Sequence, residues 1–161
     1  MDGTGNVIAI LHIIFPLIIS LYCLWAPPIL DNLYVIYFIG LNISWLVFKD
    51  ECLVSYVYKK LKQSDYKLGD DPSVADYDNL LGKNNAKIFV FYLLVMYLVN
   101  MVFVISRVGY TNITRILLVV STFMYVVYVI LFRINKKLLI YPLHILVYVI
   151  TLIVVIYEIF K

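Results

Sequence analysis

With 161 residues, 64% of them hydrophobic, and a mean hydropathy of +0.95, the chain is too apolar for a water-soluble domain. Its 13 basic and 10 acidic residues leave a formal charge of +3, too small an excess to favour nucleic acid as a partner. Two cysteines, Cys23 and Cys52, are too few for a disulfide scaffold and read as free thiols.

Five apolar runs follow in order: 7–26, 33–48, 88–105, 116–132 and 138–157. None contains Asp, Glu, Lys or Arg. A helix crosses the hydrocarbon core with about 20 apolar residues, in a usable range of roughly 17–25. Four runs reach that length, and the second, at 16 residues, borders on it. The expected fold is all-α: a single integral membrane domain over 1–161, a bundle of about five transmembrane helices with one polar loop at 49–87. No basic residue precedes the first run, and Trp25-Ala26-Pro27-Pro28 is a poor cleavage site, so it reads as a retained span.

Within that first run, Pro16 should kink the helix and free a carbonyl near position 12. Pro27-Pro28 and Asp31-Asn32 make the next connection a sharp turn, and Gly109 with Asn112 does the same after the third run. The loop 49–87 carries seven lysines and seven acids, so its net charge is zero. Leu53, Val57 and Leu61 recur at i, i+4 and i+8. The stretch 49–62 therefore reads as an amphipathic continuation of the second span, turning onto the membrane surface. Residues 64–77, with Gly69, Pro72 and four acids, read as an extended loop. Pro142 falls in the first turn of the fifth run, where proline is tolerated.

Five crossings put the N-terminus, the loop 49–87 and the turn 133–137 on one side, with ten basic residues between them. The other side holds Arg107, Arg115 and Lys161. Basic residues favour the cytoplasmic face, which places the N-terminus there and the C-terminus opposite.

Several polar side chains stand out against this background. His12 and His144 lie about 8–9 Å below the same surface at 1.5 Å per helical residue, and Glu51 and Cys52 leave the second span there. Two imidazoles, a carboxylate and a thiol in one place would suit a metal or a proton relay. No H-x-x-H or C-x-x-C spacing accompanies them, however. The plainer reading is two neutral histidines, each bonded to a carbonyl or a tyrosine, and no metal or cofactor is expected. Asn42 and Asn100 fall near mid-bilayer, where an amide needs a partner on a neighbouring helix. Glu158 sits one turn from Lys161 and suggests a surface ion pair. Asp70, Asp71, Asp76 and Asp78 lack the spacing of an EF-hand loop. With Lys59, Lys60 and Lys62 they read as a solvated, charge-alternating face for a protein partner.

Ser44-Trp45, Lys49-Asp50-Glu51-Cys52, Ser55-Tyr56, Lys59-Lys60 and Tyr66-Lys67-Leu68-Gly69 together form a pattern over residues 44–80. It resembles that of small multi-pass membrane proteins of large double-stranded DNA viruses and their algal or protist hosts. The resemblance implies a place in the internal membrane of a virion, beneath an icosahedral shell, with capsid proteins as partners; it carries over no catalytic residues. The leading expectation is thus a non-enzymatic membrane protein, embedded in a lipid bilayer, that docks a protein partner through loop 49–87 and does not bind nucleic acid. The alternatives are a small transporter or channel, proton-linked through His12 and His144, and a membrane enzyme using Glu51 and Cys52.

Overall fold

The computed structural model describes residues 3–71, 73–133 and 141–161, without the side chains of residues 3, 4 and 131–133. The basic side chains expected at the turn 133–137 lie outside the described residues. The element order is α1 (Gly3–Ser20), α2 (Tyr22–Trp25), a 3-10 turn (Pro28–Leu30), α3 (Asp31–Val47), α4 (Leu53–Lys62), α5 (Ala75–Leu81), α6 (Lys83–Arg107), α7 (Asn112–Arg133) and α8 (Tyr141–Ile159). The architecture is an all-α bundle, and the described residues contain no strand.

Four stretches are long and apolar enough to cross a membrane: Pro28–Val47, Lys83–Arg107, Asn112–Ile130 and Tyr141–Ile159. Gly5–Ser20 is a shorter apolar helix. The outward surface of these helices is apolar, with Leu11, Val102, Phe123 and Ile153 all exposed, while Asn42, Asn100, Ser121, His144 and Thr151 are buried. That distribution suits lipid as the surrounding solvent, since polar groups then gain by turning inward. Buried tyrosines find carbonyl or hydroxyl partners on the helix opposite. Tyr125 donates to the Leu94 carbonyl at 2.8 Å, and Tyr37 and Tyr97 share a hydrogen bond at 3.2 Å.

The first apolar run is divided. Helical bonding lapses at Leu21, between α1 and α2, which strands backbone groups inside the bundle. Asn100 on α6 meets them. Its amide nitrogen donates to the carbonyls of Ile19 and Ser20, both at 3.1 Å, and its oxygen accepts from the Cys23 N–H at 3.2 Å. Asn42 behaves differently: its amide donates to Phe38 of its own helix at 2.7 Å and receives Tyr148 only at 3.5 Å.

At one end of the bundle, Asp31 is buried against Arg107, whose Nε donates to it at 2.8 Å, and against the Tyr22 hydroxyl at 2.7 Å. Glu158 belongs to this end. It accepts the Thr111 N–H at 2.7 Å and the Thr114 hydroxyl, and so caps the start of α7 instead of forming the expected surface pair with Lys161. At the other end, Asp50 accepts hydroxyls from Tyr128 on α7 and Tyr141 on α8, at 2.8 and 2.7 Å. The lysine-rich segment and the facing ends of α7 and α8 therefore share one end of the bundle.

Two expectations for the polar segment are corrected here. It does not continue the second span, because α3 stops at Val47 and the backbone reverses through Lys49 and Asp50, at φ 54° and 68°. Nor is 64–77 wholly extended. Helix α5 begins at Ala75, and Tyr77 packs with Ala86 and Leu93 of α6, with Val74, Leu81, Phe89 and Ile13 around them. Burial of Tyr77 and Leu81 supplies the reason for a helix there.

The two asparagines should separate in a stability assay. Asn100→Ala is expected to cost about 2 kcal/mol, measured by denaturant unfolding in detergent micelles, and Asn42→Ala less than half of that. Equal costs would contradict the role given to Asn100.

Candidate thiol site

The reversal at Lys49-Asp50 sends three consecutive side chains in three directions. Asp50 turns to α7 and α8, Glu51 to the segment 66–71, and Cys52 to α1. Left-handed backbone at non-glycine residues is costly, and these three sets of contacts hold it in place.

Cys52 stands at the N-cap of α4. Its Sγ lies 3.2 Å from Nε2 of His12 on α1. The other ring nitrogen, Nδ1, lies 2.5 Å from Oδ2 of Asp76 on α5. Oδ1 of Asp76 accepts the Ser55 hydroxyl at 2.7 Å. Sulfur, imidazole and carboxylate thus follow one another in a line contributed by three helices. The Asp76 side chain is fully buried and the His12 side chain is 8% exposed, while Cys52 keeps partial access to the surface.

The His12 ring is held on a second side. Pro16 lacks the N–H that would bond the carbonyl of residue 12, and that freed carbonyl accepts the Tyr77 hydroxyl at 2.9 Å. The Tyr77 ring leans on the imidazole with centroids 4.8 Å apart. A proline in α1 and a tyrosine in α5 therefore fix the position of the histidine between them.

Burial alone would push the Cys52 thiol up. The hydrogen bond and charge of His12, with the first-turn N–H groups of Ser55 and Val54, outweigh it and bring the thiol below its ordinary range. Asp76 follows the same pattern. Burial opposes its ionisation, but His12 and then Ser55 hold the carboxyl below its usual value.

Glu51, fully buried, anchors the neighbouring loop. Its carboxylate accepts Lys59 Nζ at 3.0 Å, the Tyr66 hydroxyl at 2.7 Å and the Gly69 N–H at 2.9 Å. Lys59 also donates to the Asp71 carbonyl. Burial by itself would favour neutral Lys59, but Glu51 and Tyr66 raise its pKa, so it stays charged.

The four-residue cluster expected from depth is therefore split. His12 and Cys52 meet, whereas Glu51 turns to Lys59. His144 sits apart, with Nε2 3.0 Å from the Met124 carbonyl and its ring between Tyr128 and Tyr148. The reversed backbone parts Glu51 from Cys52, giving adjacent residues opposite directions. The expected partner face is also smaller. Lys60, Lys62, Asp70 and Asp71 are exposed and Asp78 partly so, but Lys59 and Asp76 are interior groups committed to Glu51 and His12. Ser55 and Tyr77 are the site residues that the sequence alone did not single out, and Asp76 was expected only as part of the partner face. Among the described residues, no group of three His, Cys, Asp or Glu side chains is arranged to hold a metal ion.

No protein-family model, curated protein or solved structure matches this chain. A sulfur beside an imidazole that a buried carboxylate orients is the arrangement used to generate a nucleophilic thiolate.

Gly69 closes the loop on this site at φ +85°. A Cβ there would lie 2.8 Å from Lys49 Cδ and 3.0 Å from Lys49 Cβ, whereas Gly82, at φ +77°, has nothing within 4 Å. Gly82→Ala is expected to cost about 1–2 kcal/mol of strain, and Gly69→Ala clearly more, in thermal unfolding in detergent. The reverse order would contradict the docking of this loop on Lys49.

Proposed function

We propose that this protein is a membrane-embedded enzyme that uses Cys52 as a covalent nucleophile for acyl transfer. The observation that carries this reading is the line from Cys52 Sγ through the two ring nitrogens of His12 to Asp76. In this scheme the Cys52 thiolate attacks a carbonyl carbon. His12 returns its Nε2 proton to the leaving group, and Asp76 keeps the imidazole in the tautomer and orientation that allow it. Helix α4 adds the first-turn N–H groups of Val54 and Ser55 beside the sulfur, where negative charge collects. The site lies at the lysine-rich end of the bundle, the end that basic residues would keep on the cytoplasmic side.

This ranks a thiol enzyme ahead of the non-enzymatic role expected from the sequence. That role remains the second reading: a component of a virion internal membrane that links lipid to capsid proteins. The exposed Lys60, Lys62, Asp70 and Asp71 support it as a small charged face. Proton-linked transport through His12 and His144 has less support, because the two histidines bond to different helices.

Alkylation of the protein in lipid nanodiscs tests the thiol reading. The titratable groups facing Cys52 are His12 on α1, with Asp76 behind it, Tyr77 on α5 and Tyr37 on α3. Because the Cys52 pKa is lowered, its thiolate persists below the ordinary thiol range and is lost only as pH falls through the lowered value. A Cys23→Ser protein should react with N-ethylmaleimide at pH 6.5 faster than a free thiol does, and His12→Gln or Asp76→Asn should slow it by about tenfold or more. A pH profile like that of a free thiol, unchanged in both variants, would overturn the proposal.

A further inference from the structure

Helix α4 is amphipathic in the inverse sense. Its polar side, with Ser55 and Lys59, is buried in the protein, while Leu53, Val54, Val57 and Leu61 are 47, 37, 41 and 61% exposed. In water that face would be a liability. Beside a bilayer it extends the lipid-facing surface of the spans. Val47, the last residue of α3, is 57% exposed, and Leu11 and Phe15, which flank His12 on α1, are exposed by 60 and 55%. Several chain neighbours of the site that reach the surface are apolar: Val47 before the reversal, Leu53 and Val54 after it, and Leu11 beside the histidine. Exposed Lys49 and Lys60 mark where the headgroup layer would lie. A thiol bordered in this way meets lipid-phase molecules before water-soluble ones.

We propose that the substrate of Cys52 is a long-chain fatty acyl thioester, and that the acyl chain lies along the Leu53–Val54–Val57–Leu61 face while its carbonyl carbon is attacked. This inference rests on the thiol reading above and supplies its substrate class. The step is balanced: the thiolate forms a new C–S bond to the acyl carbon, and the C–S bond to the donor thiol breaks. The donor leaves as a thiol with the proton from His12 Nε2, and Cys52 becomes an S-acyl cysteine. Thioester-to-thioester exchange is close to thermoneutral, so a thioester donor lets the acyl-cysteine accumulate, whereas an oxygen ester of a phospholipid would leave it scarcely populated. Water or a second nucleophile can then take the acyl group from Cys52.

The experiment uses the full chain in phosphatidylcholine nanodiscs, given palmitoyl-coenzyme A or acetyl-coenzyme A and read by intact mass and by release with neutral hydroxylamine. One hydroxylamine-sensitive palmitoyl group is expected on Cys52, present in Cys23→Ser and absent in Cys52→Ser. The palmitoyl donor should react about tenfold or more faster than the acetyl donor, because the chain is held by burial of its methylenes. His12→Gln should slow transfer by about a hundredfold. Leu61→Ser, a change at an exposed position, should shrink the chain-length preference and leave alkylation by N-ethylmaleimide unchanged. Palmitoyl transfer to Cys52 from the phosphatidylcholine alone would overturn the choice of donor. Equal rates for the two coenzyme A donors would overturn the lipid-facing substrate. Rapid alkylation of Cys52 at pH 6.5 with no acyl adduct would overturn this inference and leave the thiol reading standing; slow alkylation with no adduct would overturn both.

Discussion

The contact between His12 and Asp76 joins the polar segment to the bundle, and most of the structure around it follows from what that contact requires. A carboxylate buried beside apolar helices must be paired and hydrogen-bonded or it loses its charge. Asp76 is paired by an imidazole from α1 and a hydroxyl from α4, so α1, α4 and α5 are bound to one another through a single side chain. With α5 in that position, Tyr77 reaches the carbonyl that Pro16 leaves open, and the apolar contacts of Tyr77 with α6 come into register. The reversal at Lys49-Asp50 then has to happen, because only a turned chain can bring Cys52 to His12 while Glu51 faces the other way.

The same economy holds through the rest of the bundle. At two places where the backbone departs from regular helix bonding inside the apolar zone, a polar side chain from another helix takes up the freed groups. Asn100 does so at the lapse after Ser20, and Tyr77 at Pro16. Three acidic groups at the ends of the spans are likewise paired: Asp31 with Arg107, Asp50 with two tyrosines, and Glu158 with the first turn of α7. Lipid offers none of these groups an alternative partner, so the pairings act as constraints on the fold rather than as surface ornaments.

The helical bundle was legible in the sequence because runs free of charge and close to 20 residues long have few other solutions. The open carbonyl at residue 12 was legible too, since a missing N–H at Pro16 points to that one group. The partners were not. Depth along a helix says where His12 and His144 lie but not which way they face, and a left-handed pair at Lys49-Asp50 has no glycine to announce it. The period of α4 was readable from Leu53, Val57 and Leu61, but a period does not say which side meets protein; here the polar strip is the inner one. Helix α5 had a weak signal in Val74, Tyr77 and Leu81 at i, i+3 and i+7, which the surrounding acids, Gly69 and Pro72 obscured. Asp76 then looked like one of four solvated carboxylates, although it is the one on which the site turns.

The segment between α3 and α6 is a folded cap, fastened to α1 through His12, and not a solvated loop. Hydrogen exchange in lipid nanodiscs, followed by mass spectrometry, tests it most directly. The amides of 54–62 and 76–81 should exchange orders of magnitude more slowly than an unstructured chain, and His12→Ala should release that protection while α7 and α8 stay protected. Exchange of both stretches at unstructured rates in the unmodified protein, or protection indifferent to His12, would contradict it.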